Sequence, residues 1–512
     1  MNKVTGRYLN WGLSVLVGIG IFLFWYIAYP HALSYQEQYQ LFLWTWDYFV
    51  ERVSLPGGFA DWLGEFIVQF YYVEWLGALL LALLFVALQR LTARLLPQGI
   101  WCLLSLVPVV LVLWLMGDIN VLLSLPVAIV LALALACIRL PKRLSWVDVI
   151  ILPLAYWLIG PATWIYIMVR VLQLGWKHLW TAGWLVAVQV MVYAWFLPQW
   201  PLQQAMTGLN YYRIPLHYPQ WNGYDRDMYE LIRQDYLVRN ERWDEIVKLA
   251  GEYQVRTPFW SNCVNLALSQ KRLLADRMFD FYQSGEDALI MPRVRDLTSM
   301  LPSAEAFWRL GMVNSAQRYM FDTQESILNG RKSGRCTKRI AECMIVNGHY
   351  QTATKQLDLL KKSLFYRSWA KEAEALIGDE AKTEADQTTP NPSYSGGEIS
   401  VDKHPIYGKM RQLRYKENFL YSYDEIDKMF GLLFMNNQEN KMVLDYFMAQ
   451  MLLKGNLQGF QQYMGAVQQY GGYRQMPLGY QDVMHCIQMQ GRVPDSPYAK
   501  YVQQMTERRA ER

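Results

Sequence analysis

Residues 11–29 read WGLSVLVGIGIFLFWYIAY, a run of nineteen residues without a charged side chain. A helix of roughly 20 apolar residues is long enough to cross the hydrocarbon core of a bilayer. Lys3 and Arg7 precede the run, and no small-residue cleavage pattern follows it. Because basic residues stay on the cytoplasmic side, we expect an uncleaved first span whose N-terminus is cytoplasmic.

Five more apolar stretches follow this first span. They are Val73–Leu88, Ile100–Met116, Val121–Ile138, Trp146–Arg170 and Leu179–Leu197. The stretch from Trp146 could be one tilted span, or two short ones broken at Gly160-Pro161. The basic cluster Arg170/Lys177/His178 falls on the cytoplasmic side only if the chain turns back at that break. We therefore expect seven crossings, which places the C-terminal domain on the side opposite to the N-terminus.

The composition changes sharply near residue 200. Residues 1–200 hold 16 of the 21 tryptophans but only 10 Lys/Arg and 8 Asp/Glu, and the other 39 Lys/Arg and 36 Asp/Glu follow. A lipid-facing segment excludes charges, whereas a solvated surface needs them. The sequence thus predicts a transmembrane domain over 1–200 and a soluble domain after it.

The first external loop, residues 34–72, mixes aromatic and charged residues. It is too polar to span a membrane and too apolar to lie free in water. The pattern predicts two amphipathic helices in the membrane interface, hinged at Pro56-Gly57-Gly58. Arg52, like Arg213 further along the chain, could pair with a phosphate, but the expected role of both is solvation at the surface.

After residue 200 the pattern becomes that of amphipathic helices joined by short turns. Ala341, Gly348, Tyr350, Ala353 and Leu357 follow the spacing A-x6-G-x-Y-x2-A-x3-L, which matches the tetratricopeptide signature. The position of Ala353 recurs more weakly at residues 246, 275, 316 and 460. We expect an all-α chain: a membrane helix bundle followed by an irregular tetratricopeptide-like α-solenoid.

The helical-repeat domain is predicted in two parts, 201–380 and 405–512. Between them, residues 381–404 include Thr388-Thr389-Pro390 and Gly396-Gly397. Such polar segments rich in Pro and Gly do not continue a helix, so we expect a mobile linker here.

Carboxylates gather around the external loops. They are Glu37, Asp47, Glu51, Asp61, Glu65 and Glu74 in or beside the first loop, and Asp118 in the second. Such groups can hold a divalent metal on a diphosphate or act as a general base. They can equally be the solvated faces of interfacial helices, and this second interpretation stays open.

Two further classes of chemistry are disfavoured by the sequence. The net charge of +5 is spread out without a basic stripe, so no nucleic-acid partner is expected. The six cysteines lack metal-ligand spacing, and we expect them to be buried small side chains.

Several stretches carry a resemblance that covers nearly the whole chain. They are Tyr35–Phe42, Pro56–Ala60, Phe66 with Gln69-Phe70, and Glu241–Ile246. These stretches resemble an uncharacterised family of bacterial multi-pass inner-membrane proteins. That resemblance implies an inner-membrane protein and no activity. In an inner membrane, the seven expected crossings place the C-terminal domain in the periplasm.

The order of parts also resembles the GT-C membrane glycosyltransferases. In that superfamily an acidic residue of the first external loop is the usual catalytic or metal-binding group. Asp47, Asp61 and Asp118 are the nearest positions here, but no paired acid stands in the first loop, and Asn120 replaces a second acid. The resemblance therefore implies a shared fold whose activity is retained, changed or lost.

Two functions follow as hypotheses. The first is a membrane-anchored envelope protein whose periplasmic repeat domain binds a protein or peptide partner and which needs no cofactor. The alternative is a transferase that uses a lipid-linked sugar donor, with a divalent metal as its only cofactor. Both hypotheses have the lipid bilayer as a partner.

Overall fold

The computed structural model describes residues 3–97, 99–138, 142–196, 223–293, 298–327, 331–378, 400–415, 425–489 and 495–510. These residues contain helices and turns but no strand, so the expectation of an all-α chain is confirmed. They form two units, the first made of residues 1–229 and 362–366, the second of 230–361 and 367–512. The predicted linker 381–404 lies, up to residue 399, outside the described residues.

Apolar helices dominate the first unit. Three helical stretches are long and apolar enough to cross a membrane, namely Tyr8–Ala28, Glu74–Leu95 and Ser145–Leu174. The shorter apolar helices Ile100–Leu115 and Ser124–Ala136 accompany them. A helix satisfies its own backbone hydrogen bonds, which is the condition for lying in lipid. The prediction of membrane-crossing segments in this half is borne out at that level.

The helices of this unit follow one another with short connections. They are α1 (Lys3–Leu23), α2 (Pro30–Gln38), α3 (Trp46–Val53), α4 (Gly58–Val68), α5 (Glu74–Leu95), α6 (Leu106–Leu115), α7 (Ser124–Ala136), α8 (Asp148–Ile159), α9 (Thr163–Leu174) and α10 (Trp180–Phe196). The boundary between the units falls inside the next helix, α11 (Arg226–Arg239).

A buried polar network joins α1 to α5. The hydroxyl of Ser14 donates to Oε1 of Gln89 at 2.7 Å, and Nε2 of Gln89 donates to Asn10 and Ser105, both at 2.8 Å. Gln89 is completely buried. Because lipid offers no hydrogen-bond partner, such side chains bond across helices and fix how the helices pack.

The first loop contains three helices where the sequence predicted two. The predicted hinge is present, because Gly57 adopts φ 80° immediately before α4 begins. Thr45 caps α3 by accepting a hydrogen bond from the backbone N–H of Tyr48. The additional helix, α2, begins at Pro30 and is almost entirely buried, so its glutamines and Glu37 face protein.

The segment from Ser145 to Leu174 folds back on itself. Gly160 takes φ 59° between α8 and α9, and Nη2 of Arg170 lies 3.0 Å from Oδ2 of Asp148. Since Asp148 begins α8 and Arg170 lies near the end of α9, the two helices form an antiparallel hairpin. The predicted turn at Gly160-Pro161 is therefore present. Each arm has 12 residues, or about 18 Å of helix, so the stretch is long enough to cross a membrane by its total length only and does not cross as one straight helix.

The first part of the second unit is a series of helices joined by tight turns. They are α12 (Trp243–Glu252), α13 (Pro258–Gln270), α14 (Leu274–Arg277), α15 (Leu301–Leu310), α16 (Val313–Glu325), α17 (Gly334–Asn347), α18 (Tyr350–Lys361) and α19 (Arg367–Ile377). α15 packs on α16, α16 on α17, and α17 on α18.

The predicted repeat positions fall where two helices meet. Gly348 ends α17 in the left-handed conformation at φ 80°, and Gly311 ends α15 at φ 86°. A glycine adopts this conformation without steric cost, so the chain reverses within two residues. The five marker positions are all buried: Ile246, Ala275, Ala316, Ala353 and Phe460.

The described residues of the second part form seven helices. They are α20 (Ser400–Lys403), α21 (Tyr407–Leu413), α22 (Ile426–Asn436), α23 (Lys441–Lys454), α24 (Leu457–Tyr470), α25 (Leu478–Gln488) and α26 (Pro497–Ala510). Residues 443–453 of α23 are all buried, so this helix is a central element of the unit.

This second part packs back across the first. α23 contacts α13, α14 and α15, and α21 contacts α17. Asn440 donates to the carbonyl of Leu310 at 3.3 Å, and Arg414 donates to that of Val346 at 3.0 Å. These bonds satisfy carbonyls at helix ends that have no intrahelical partner. The face of α13 and α15 that an open solenoid would offer is thus covered by the chain itself.

Candidate functional site

A buried charged cluster lies where α3, α4 and α7 meet. Asp61 and Glu65 are one helical turn apart on α4, so both side chains leave the same face, and both are fully buried. Nε of Arg52 lies 3.0 Å from Oε2 of Glu65, and the hydroxyl of Tyr48 donates to the same oxygen. The hydroxyl of Ser124 donates to Oδ1 of Asp61 at 2.8 Å. We call these five residues the α4 cluster.

Electrostatics keep Arg52 charged and Tyr48 protonated in the α4 cluster. Burial opposes the charge of Arg52, but the carboxylate of Glu65 outweighs it and raises the pKa of the guanidinium. Burial, and then Glu65, raise the pKa of Tyr48 well above its usual value, so its hydroxyl remains a donor. The expectation that Arg52 is solvated is therefore wrong, because the residue is 5% exposed and paired.

Close helix packing brings Ser124 to the cluster. A side chain at Gly64 would meet the backbone of Ser124 at 2.8 Å, so only glycine lets α4 approach α7 this closely. This contact places the start of α7 beside Asp61.

Glu37 occupies a second buried position. The hydroxyl of Tyr366 donates to Oε1 of Glu37 at 2.8 Å, and the backbone N–H of Trp44 donates to the carbonyl of Lys362 at 2.8 Å. Phe365 stacks on Tyr72 with ring centroids 5.1 Å apart. Residues 362–366, the aromatic loop, thus belong to the first unit although their sequence neighbours belong to the second.

The three predicted catalytic positions lie in different surroundings. Asp61 is in the α4 cluster, whereas Asp47 is exposed in the first turn of α3. Asp118 is half-buried and accepts hydrogen bonds from the backbone and side-chain N–H groups of Asn120. Asp118 also contributes, after burial and two tyrosines, to raising the pKa of Tyr229. Asp61 shares the buried face of α4 with Glu65 and interacts electrostatically with Arg52.

The hairpin of α8 and α9 contains a third buried carboxylate. Asp148 accepts hydrogen bonds from the hydroxyl of Tyr166 at 2.6 Å and from Nη2 of Arg170 at 3.0 Å. Both Asp148 and Arg170 are 1% exposed. Arg170 therefore acts as a buried ion-pair partner, which differs from its predicted role as one of three basic residues flanking a span.

The described residues offer little for a metal ion. Among them, no group of three or more His, Cys, Asp or Glu side chains is placed to hold one. All six cysteines are free, five of them buried and Cys137 half-buried. Burial raises the pKa of the Cys336 thiol to about 11, so that thiol is unreactive at neutral pH.

The second unit has a buried charge network of its own. Nη1 of Arg335 lies 2.6 Å from Asp235, and Arg339 contacts Glu305 at 2.8 Å and Glu342 at 2.7 Å. Burial alone would raise the pKa of Glu305, but Arg339 and Arg335 outweigh it and lower that pKa. The network places arginines of α17 against acids of α11 and α15. A buried network of this kind fixes how the helices pack.

A separate buried acid, Asp445, joins the two parts of this unit. Its carboxylate pairs with Arg272 and accepts a hydrogen bond from the Tyr473 hydroxyl. Burial outweighs these partners and raises the pKa of Asp445 to about 6. The buried side chain of Asp445 therefore gains or loses its proton in the mildly acidic pH range.

These features define an all-α protein with helices that can cross a membrane, joined in sequence to a charged helical unit. A family model described as a family of unknown function (DUF6057) matches residues 7–512, so the chain belongs to that family. The predicted membership of an uncharacterised family is thereby confirmed. No curated protein and no solved structure matches the chain.

Sequence reasoning found Asp61 but not its surroundings. The four-residue spacing of Asp61 and Glu65 was available as a signal that they share a helical face. Nothing local in the sequence indicated that Ser124 or Arg52 would join them. The partners of Asp148 were missed for the same reason, because an ion pair across a hairpin leaves no periodic pattern.

Proposed function

We propose that this chain is a membrane-anchored protein whose helical second unit binds a protein or peptide partner. The observation that carries the proposal is the set of helix pairs with buried small residues and left-handed glycine turns between α15 and α18. Helical repeats are used mainly to bind other chains through extended side-chain surfaces. Because the chain itself covers the face of α13 and α15, we assign the partner to an outer helix of the unit. The inference from fold to function is by analogy of architecture.

The state of the buried acids supports binding over catalysis. Glu65 and Asp148 are each held by an arginine and a tyrosine, which is the arrangement of a structural ion pair. A general base is better served by a carboxylate that can exchange its proton with a substrate near neutral pH. Asp47 is exposed, and Asp118 is engaged by its own turn.

The outer face of α22 is the surface we assign to the partner. Met435 is 70% exposed and Leu432 is 49% exposed, three residues apart on the same face. Lys428 lies one turn before Leu432 and is exposed as well. Flexible methionine and leucine side chains rimmed by charge are typical of surfaces that accept an amphipathic peptide.

The hairpin of α8 and α9 supports a location of the second unit outside the cytoplasm. The other five apolar stretches each count as one crossing. A hairpin adds either two crossings or none, so the total is odd in both cases. With Lys3 and Arg7 in the cytoplasm, an odd number places the C-terminal unit on the outer side of the membrane. In a bacterial inner membrane with seven crossings, that side is the periplasm.

A second candidate function rests on the α4 cluster. Asp61 and Glu65 are buried side by side with Arg52, and Asp61 is one of the positions that the GT-C resemblance indicates. A guanidinium beside two carboxylates could bind the phosphate of a lipid-linked sugar while one acid serves as base. This transferase would use a divalent metal only if its substrate brings one.

Photo-crosslinking in native membranes tests the first proposal. A photoreactive residue at position 435 should yield one defined adduct in the full-length chain, whereas the same residue at Leu478, which is also 70% exposed, should not. Met435→Asp should reduce binding of the captured partner at least about tenfold, with Leu478→Asp as the matched control. Equal capture at both positions, or no effect of Met435→Asp, would contradict it.

Consumption of a lipid-linked sugar tests the transferase proposal. Asp61→Asn should abolish consumption of a lipid-linked sugar by membranes that contain the chain, while leaving capture at position 435 unchanged. Glu51→Gln, an exposed acid beside Arg52, is the control. If Asp61→Asn leaves all sugar consumption intact, the transferase is excluded.

A further inference from the structure

The outer surface of α24 carries no charge. Residues 456–473, which contain this helix, include no Asp, Glu, Lys or Arg. The exposed positions of α24 are five glutamines and one glycine: Gln458, Gln461, Gln462, Gly465, Gln468 and Gln469. The inner face is anchored, since Phe460 is fully buried and Val467 is 3% exposed. We call these six exposed residues the glutamine face.

Other outer helices of the same unit look different. Their exposed charged residues are Asp244, Glu245, Lys248 and Glu252 on α12, Lys355 and Asp358 on α18, and Arg367, Lys371 and Glu372 on α19. A solvated helix normally carries such charges, because they keep a surface soluble. Depletion of charge is instead a property of the centre of protein interfaces. The glutamine face therefore has the composition of a covered surface.

The glutamine face is also symmetric about its central residue. Measured from Gly465, glutamines stand at offsets −4, −3, +3 and +4, and the outer offsets −7 and +7 are Gln458 and Gly472. In an antiparallel helix pair with a twofold axis at Gly465, Gln461 faces Gln469 of the other helix, and Gln462 faces Gln468. A twofold interface requires this kind of self-complementary surface.

We propose that the glutamine face pairs with the same face of a second copy of this chain, antiparallel and with the twofold axis at Gly465. Each glutamine amide both donates and accepts, so two identical rows satisfy each other without a counter-charge. A side chain at Gly465 would meet nothing within 4 Å in the single chain, so the position is open to a close approach by a partner helix.

The chemistry of the face selects this occupant. A basic peptide finds no opposite charge on residues 456–473, and an acidic one meets only the ammonium group of Lys441 at the Gly472 end, away from Gly465. An apolar segment would bury the glutamine amides without hydrogen bonds, which is costly. One pair of 14-residue helices lies at the small end of protein interfaces, so we expect pairing between copies that share a membrane.

Cysteine crosslinking in native membranes tests the geometry. In the full-length chain, Gly465→Cys should form a disulfide-linked dimer under mild oxidation, because residues on a twofold axis meet themselves. Gly251→Cys is the matched control, since Gly251 is an exposed helical glycine on α12 that also has nothing within 4 Å. The native cysteines are buried or half-buried and contribute little background. Equal dimer yield for both variants would overturn the proposal.

A charge swap tests the pairing itself in the Gly465→Cys background. Adding Gln461→Glu with Gln469→Glu should reduce dimer yield roughly tenfold, because like charges then face each other twice. Adding Gln461→Lys with Gln469→Lys should do the same, and co-expression of the two variants should restore the yield as mixed dimer. Absence of this restoration would exclude the antiparallel register.

The identity of the occupant has a separate readout. A photoreactive residue at Gln468 should give an adduct with the mass of two chains. An adduct of any other mass would assign the face to a different partner and overturn the proposal.

Discussion

The two units bury their charges in different ways. In the first unit the paired residues are close in sequence: Arg52 and Glu65 are 13 residues apart, and Arg170 and Asp148 are 22 apart. In the second unit Arg339 and Glu305 are 34 residues apart, but two other pairs are far more distant. Arg335 and Asp235 are 100 residues apart, and Arg272 and Asp445 are 173 apart. A local pair can form as soon as one helical hairpin forms, whereas a distant pair must first offset the entropy of closing a long loop.

This difference in sequence separation predicts which contacts loosen when an ion pair is removed. Loss of a pair in the first unit should loosen one hairpin, and loss of a pair in the second should loosen contacts between distant segments.

The largest effect is expected at the hairpin of α8 and α9. Asp148→Ala removes the carboxylate that contacts Arg170 and should lower the free energy of unfolding by roughly 3–5 kcal/mol, because the guanidinium stays buried. Denaturant unfolding of the full-length chain in detergent measures this. The double variant Asp148→Leu/Arg170→Met should recover most of the loss.

The matched control is Glu51→Ala. Glu51 also contacts an arginine, Arg52, but its side chain is 65% exposed, so the change should stay within about 1 kcal/mol. Equal effects of the two substitutions would show that burial does not decide the strength of these pairs.

Asp445 should make the stability of the second unit depend on pH. Its pKa of about 6 lies above that of an unfolded aspartate, about 3.9, so the folded chain binds more protons between these values. Its contribution is therefore fully present below about pH 4 and is lost as the pH rises through 6. The expected loss is roughly 2–3 kcal/mol, which unfolding curves between pH 4 and 8 would record.

The control for this prediction is Asp445→Asn. The difference in unfolding free energy between native chain and variant isolates the titration of Asp445 from that of other groups. A difference that does not change between pH 4 and 7 would mean that Asp445 is not the titrating group.

Ala353 should report on close packing between α17 and α18. Ala353 is completely buried, so Ala353→Leu should overpack the contact and cost roughly 1–3 kcal/mol. Hydrogen exchange should rise first between residues 310 and 375. Ala375→Leu, on the exposed side of α19, is the matched control and should have little effect. Unchanged exchange in Ala353→Leu would contradict the repeat assignment.

The smallest effect is expected in the network between α1 and α5. Ser14→Ala removes one hydrogen bond to Gln89 and should cost about 0.6 kcal/mol, the average for such bonds in membrane proteins. Gln89→Leu removes all three bonds of Gln89 and should cost more. If Ser14→Ala costs as much as Asp148→Ala, neutral and ionic contacts in this unit are equivalent.

Much of the fold could be predicted from local patterns. Apolar length indicated helices able to cross a membrane, Gly160-Pro161 indicated the turn, and the spacing around Gly348 indicated a helix pair. These predictions succeed because helix length, turn geometry and small-residue contacts depend on residues close in sequence. The same is true of the hinge before α4.

The remaining features depend on partners that are distant in sequence. Residues 443–453 of α23 are all buried, and nothing in the local sequence shows that α13 and α15 pack against this helix. The basic character of Arg170 suggested a flanking charge, because the sequence does not reveal that Asp148 lies opposite. Within the candidate site, the face shared by Asp61 and Glu65 was predictable and the approach of Ser124 was not.

The aromatic loop has a consequence for the order in which the protein is made. Its residues 362–366 complete the first unit, yet they leave the ribosome roughly 130 residues after the rest of that unit. At the usual pace of synthesis this delay is on the order of ten seconds. During that interval Glu37, Phe70 and Tyr72 have been synthesised, but Tyr366 and Phe365, which contact them, have not. The contacts of the first unit are therefore complete only after residues 230–361 of the second unit have been made.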